Sequence, residues 1–171
     1  MSERKKVLVN AIPIINVNTG IARYLRCLYT ELEKLYPSEL DIWYFDGRRV
    51  VPSMPHGPEN LERWTGMVDL FWKLPAPLVL TVRLALHWKR ELTFYRLSRT
   101  FDLYHEAGFF PLRVPSHVKT LFTVHDLSLL RFPEHHPRER VLYNKLFFSS
   151  RCRRAAHFLS VSSFTKSEMH N

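Results

Sequence analysis

Residues 118–134 read VKTLFTVHDLSLLRFPE. The run from Val118 to Val124 is β-rich and almost uncharged, and it stops on the pair His125-Asp126 before a loop, Pro133 and a long helical segment. A strand ending on a histidine decides how the chain is read, because ligands of an open parallel sheet gather at the carboxyl ends of its strands.

Working back from that stretch, residues 5–12 (KKVLVNAI) predict a first strand, apolar on both faces as buried parallel strands are. After PIINVNTG the period changes from 2 to 3.6. Ile21, Tyr24, Leu25, Leu28, Leu32 and Leu35 predict an amphipathic helix from Gly20 to about Tyr36, with Thr19 or Asn18 as its N-cap and Pro37 as its stop. A strand, a turn with one glycine and a helix opening with free N–H groups can receive an anion, and Arg23 and Arg26 add positive charge there. Most such turns bind nothing, so a single glycine leaves both readings open.

Residues 40–45 (LDIWYF) predict a second strand, and the Pro-rich segment 47–63 an exposed loop in which His56 is solvated. From Trp64 to Thr100 the pattern is helical, interrupted at Pro75 and Pro77, and mixes Trp72, Leu86 and Trp88 with Lys89, Arg90 and Arg96. The preferred expectation is a helix that buries one stripe on the sheet and turns its arginines to water. Contact with an anionic membrane surface is a secondary property of the same basic segment. A third strand is expected over 101–106 (FDLYHE), again ending on a polar pair, His105-Glu106. Beyond the opening stretch come a helix over 137–155, a short strand over 157–161 and a last helix capped at Ser162-Ser163. The order predicts an α/β fold, a doubly wound, mainly parallel sheet with helices on both faces, as one domain over 1–171.

Bulk properties narrow the function. Of the 171 residues 46% are hydrophobic and 13% aromatic, which sets the chain apart from disordered polymers. A net charge of +9 calls for an acidic partner: phosphate groups, nucleic acid or an anionic membrane. RNA-binding signatures are missing and the basic residues scatter over several helices, which argues against nucleic acid. The longest apolar stretch, Leu74–Trp88, is broken by Pro75, Pro77 and Arg83 and falls short of the roughly 20 residues a bilayer requires. Cys27 and Cys152 read as two reduced core thiols of a cytosolic protein. No Cys/His spacing suits zinc, and Walker, G-x-G-x-x-G and G-x-S-x-G motifs are lacking. What remains is Gly20, His105-Glu106, His125-Asp126 and Ser162-Ser163, four polar strand-to-helix junctions that one doubly wound sheet brings to a single edge.

Those junctions resemble the amino-terminal domain of retaining glycosyltransferases of family 4, which have the GT-B fold. The matching stretches are TGIARYLRCLYTEL, DLYHEAGFFPL, TLFTVHDLSLLRFPEHHPRERVLYNKLF and RRAAHFLSVSSFTKSEM, about half the chain in the family's order. The resemblance implies the Rossmann-like, acceptor-side half of an enzyme that moves a hexose, mannose by the same resemblance, from a nucleotide-sugar to a glycan or lipid-linked acceptor with retention. No metal or other cofactor is expected, and the setting is the cytoplasm at the inner face of the membrane.

By that resemblance Gly20 is the glycine whose backbone meets the donor diphosphate, with Ile21 beside it and Arg23 to neutralise phosphate. His125 is the cleft histidine that contacts the transferred sugar. His105 and Glu106 line the acceptor side, and Asn18, Thr19, Asp126 and Ser162 complete the cleft, Asp126 also capping the turn that follows. The chain departs from the family in two places. It stops at Asn171, before the carboxy-terminal donor-binding domain with its paired glutamates, so the isolated chain is expected to be inactive. It also carries Ala107-Gly108 where close relatives often have Pro-Asn. The alternative function is a non-catalytic basic module that binds anionic membrane or nucleic acid.

Overall fold

A computed structural model describes residues 4–16, 19–57 and 75–170. Asn18 and the Trp64–Leu74 part of the expected helical region lie outside the described residues. Among the described residues the sheet has six strands, β1 (Lys5–Asn10), β2 (Leu40–Phe45), β3 (Val50–Val51), β4 (Leu103–Glu106), β5 (Lys119–Val124) and β6 (His157–Ser160), in the order β3-β2-β1-β4-β5-β6. All neighbours are parallel except β2 and β3. This is an α/β, Rossmann-like fold.

Strand β1 shows why the sheet is covered twice. Val7 and Val9 enter one core with Leu25 and Tyr29 of α2 (Gly20–Leu35), whereas Leu8 enters the other with Phe94 of α3 (Ala76–Leu97). Alternate side chains of a strand point to opposite faces, so an unbroken apolar run needs a helix on each side. Helix α5 (Arg138–Cys152) joins α3 on its face, where the rings of His87 and Phe147 lie 4.1 Å apart.

Several boundaries differ from the sequence expectation. The first strand ends at Asn10, because Asn10 Oδ1 accepts from Ile12 N and the chain turns into the short helix α1 (Ile12–Asn16). Thr19 is the N-cap of α2, its Oγ1 accepting from Ala22 N at 3.3 Å, and the helix closes at Tyr36 before Pro37. The expected loop after residue 47 opens with a hairpin: Asp46 Oδ1 accepts from Arg48 N and Arg49 N, Gly47 takes φ +99°, and Val50–Val51 returns antiparallel to β2. Pro75 and Pro77 stand at the start of α3, where a missing N–H costs nothing. Phe101 and Asp102 precede β4, and Asp102 Oδ2 accepts from Lys6 N at 2.8 Å.

Helix α3 buries one stripe, and half of that stripe is polar. Its inner stripe is Val79, His87, Glu91 and Phe94, while Leu86, Trp88 and Leu92 are all more than half exposed. The polar stripe is possible because Glu91 pairs with Arg151 of α5 at 2.8 Å and His87 Nδ1 shares a hydrogen bond with Tyr143 Oη at 2.9 Å. The thiol reading is corrected in part: Cys27 is exposed and Cys152 half-buried, both free. After β5 come α4 (Ser128–Arg131) and a 3-10 turn at Pro133–His135, and α6 (Ser163–His170) follows β6. Among the described residues no helix is long and apolar enough to cross a membrane.

Candidate functional site

The carboxyl ends of β1, β4 and β5 open into a cavity of about 590 Å³. It sits at the carboxyl ends of β1 and β4, the neighbours at which the strand order β3-β2-β1-β4-β5-β6 reverses direction, the usual crevice of a doubly wound sheet. Asn10 and Glu106 form its floor. Thr19 and Ile21 at the start of α2, the turn from His125 to Leu130, the loop residues Phe109 and Phe110, and Arg140, Tyr143 and Asn144 of α5 make its walls.

Glu106 is 1% exposed and held from three sides. Asn10 Nδ2 donates to Oε2 at 2.8 Å, Tyr104 Oη donates to the same oxygen, and Gly108 N donates to Oε1 at 2.6 Å. Burial pushes its carboxyl above the usual carboxylate range, and the hydrogen bonds pull against that shift. Gly108 is what lets the backbone reach the carboxylate: a Cβ there would lie 2.8 Å from Oε1.

His125 follows the last residue of β5. Its ring stands edge-on to Tyr24, with centroids 5.3 Å apart at 85°, and its carbonyl accepts from Thr165 Oγ1 at 3.2 Å. Nε2 is buried and has no hydrogen-bond partner among the described residues. Burial holds the imidazole below its usual pKa, Asp126 acting the other way, so the ring is neutral near pH 7. Asp126 Oδ1 accepts from Ser128 N at 2.8 Å and forms the turn into α4. Hydrogen bonding from Ser128 is the main reason its carboxyl lies below the usual range.

The other expected site residues divide. Thr19, Ile21, Glu106, His125 and Asp126 meet at the cavity. His105 does not: it is 1% exposed behind the wall, with Nδ1 bonded to Tyr29 Oη at 2.6 Å and Nε2 to Thr123 Oγ1 at 2.8 Å. Burial, and then the neighbouring His125, push its pKa down to about 4. Ser162 is a helix cap and not a wall, accepting from Thr165 N at 3.0 Å. Arg23 is exposed on the outer side of α2, away from the lining. Gly20 begins α2, and a Cβ added to it would meet nothing within 4 Å.

The sequence reading passed over Asn10, Phe109, Phe110, Arg140 and Asn144. Asn144 is 3% exposed, and its Oδ1 lacks a partner among the described residues. Arg140 lies over the Phe109 ring at 5.8 Å. An Asn at the end of the first strand and a Tyr-Asn pair inside an otherwise basic helix were the signals available for them.

Aromatic rings, a neutral imidazole and a few buried polar atoms suit a sugar or another polyol with apolar faces. No family model and no solved structure matches the chain. It is 28% identical over 168 residues to the O-antigen chain mannosyltransferase B of Escherichia coli, an alignment that covers 96% of this chain. That likeness supports a glycosyltransferase relationship. The chain spans 42% of the length of this curated relative.

Proposed function

We propose that these residues are the acceptor-side, amino-terminal half of a retaining GT-B glycosyltransferase of family 4, which moves a hexose from a nucleotide-sugar to a glycan or lipid-linked acceptor. The observation that carries the reading is His125. A neutral imidazole at the carboxyl end of β5 keeps a buried Nε2 without a partner among the described residues, and it lines the same cavity as the first turn of α2. The mannosyltransferase likeness, which runs through all these junctions, supports it.

In the proposed reaction the acceptor hydroxyl oxygen bonds to the anomeric carbon as the nucleoside diphosphate departs with the bonding electrons, and a phosphate oxygen of that leaving group takes up the hydroxyl proton. Charge grows on that diphosphate, and the N–H groups that open α2 meet it. The free space over Gly20 lets a phosphate come to the backbone. His125 bonds a hydroxyl of the transferred sugar without adding a charge, and it is not assigned as a general base. Glu106, locked by Asn10, Tyr104 and Gly108, holds the floor in place. The nucleotide is held by a second Rossmann-like domain, and the scheme calls for no metal. The exposed Leu86, Trp88 and Leu92 beside Lys89 support a peripheral attachment of the same half to an anionic membrane on the cytoplasmic side.

The test is transfer of labelled hexose from nucleotide-sugars to a lipid-linked acceptor, by the 171 residues alone and joined to a donor-binding domain. Transfer is expected only from the joined protein, with a loss of about tenfold to 100-fold in His125→Ala while its unfolding midpoint is kept. Transfer by the 171 residues alone, or an unimpaired His125→Ala, overturns the proposal.

A further inference from the structure

A second cavity, of about 480 Å³, lies at the other end of the sheet, near the start of β5. Its wall runs along the 111–118 connection, Thr120, Tyr95 of α3 and the end of α5. Three arginines line it: Arg113 from the connection, Arg151 from the last turn of α5 and Arg154 just beyond.

Arg151 is 3% exposed, with Nη2 2.8 Å and 2.9 Å from the two oxygens of Glu91, yet its Nε is buried without a partner among the described residues. Glu91 is already engaged, since Oε1 also accepts from Arg113 N at 3.0 Å. Among the described residues neither Arg113 nor Arg154 forms an ion pair, and Glu91 answers the guanidinium of Arg151 alone. Burial lowers the Arg151 pKa, Glu91 opposes that shift, and the charges of Arg113 and Arg154 add to it. Like charges brought together in this way repel unless an anion joins them, and guanidinium forks match the oxygens of a phosphate.

We propose that this cavity binds a phosphate group, gripped by Arg113 and Arg154 against Arg151, which Glu91 fixes, with the Ser116 hydroxyl as a further donor. Two sources carry the same chemistry. One is a soluble phosphate ester. The other is the phosphodiester of an anionic lipid, whose chains would follow the exposed Trp88, Leu92 and Tyr95 on α3.

The site is independent of the sugar-transfer reading and is tested by binding alone. The full chain is titrated with inorganic phosphate against chloride at matched ionic strength, and separately floated with phosphatidylglycerol vesicles. Saturable binding is expected, weakened about tenfold or more in Arg113→Gln/Arg154→Gln. Both side chains are exposed, so the fold survives their replacement, and an unchanged unfolding midpoint checks this. Arg138→Gln/Lys145→Gln removes the same charge elsewhere and should bind like the parent. Selective loss in the phosphate titration supports the site with a soluble ester as its source; selective loss in flotation alone supports it with a lipid headgroup. Absence of saturable binding in both arms, or equal weakening in the two double variants, overturns the proposal.

Discussion

Gly20 and Gly108 stand at two junctions of one cleft and should respond oppositely to a methyl group. A Cβ on Gly20 meets no heavy atom within 4 Å. Gly20→Ala therefore strains nothing in the folded protein, and restricting the unfolded chain makes it neutral or up to about 1 kcal/mol stabilising. A Cβ on Gly108 sits 2.8 Å from Glu106 Oε1, and Asn10 and Tyr104 hold the other oxygen so that the carboxyl group cannot retreat freely. Either the carboxyl swings away from Gly108 N, losing about 1.5–3 kcal/mol of hydrogen bonding, or the backbone shifts at an overpacking cost of about 1–3 kcal/mol. Gly108→Ala should thus be about 2–3 kcal/mol less stable than the parent, read from urea unfolding curves of the two variants side by side. Equal stabilities would refute the packing argument. In the transfer assay the stable variant is the informative one. Gly20→Ala should keep its fold and lose rate, because its methyl group stands where the donor phosphate is proposed to approach, and an unchanged rate removes Gly20 from that role.

Three further outcomes follow from the buried polar groups. His87 and His105 are both held at about 4, well below 6.5, so the unfolded chain binds protons that the folded one refuses. Stability then rises with pH between those values, and acidification from pH 7 to pH 5 should cost roughly 2 kcal/mol for His105 alone, a slope that His105→Phe would flatten in urea titrations. Glu91→Ala leaves Arg151 buried without its carboxylate and should cost about 3–5 kcal/mol, whereas Glu91→Leu/Arg151→Met should cost much less; equal losses in thermal unfolding would contradict this. Asn144→Leu fills a wall position whose Oδ1 has no partner among the described residues, so it should leave stability within about 1 kcal/mol and raise the acceptor KM, and a large fall in unfolding free energy would show that Asn144 is structural.

The parts of the fold legible in the sequence are those whose signals are local. Thr19, the apolar spacing from Ile21 to Leu32 and Pro37 place α2 nearly to the residue, since cap, stripe and stop lie in one stretch. The end of β5 at His125 was legible for the same reason: an uncharged run breaks on a polar pair. Two-residue β3 was not, because Val50-Val51 is too short to show a period, and only the Asp46-Gly47 turn before it gives the hairpin away.

What the sequence concealed is set by pairs far apart in the chain. His87 and Glu91 look like the outer face of a basic helix until Tyr143 and Arg151 arrive from α5 to satisfy them. Once those partners claim the inner face, helical geometry leaves Leu86, Trp88 and Leu92 no place but the outside. The site followed the same logic. His105 and His125 end neighbouring strands and read alike in one dimension. Yet His105 points where Tyr29 and Thr123 supply both of its ring nitrogens with partners, while His125, past the end of its strand, keeps Nε2 without one among the described residues. The unspent hydrogen bond, more than the residue type, separates the histidine that can meet a ligand from the one that packs the core.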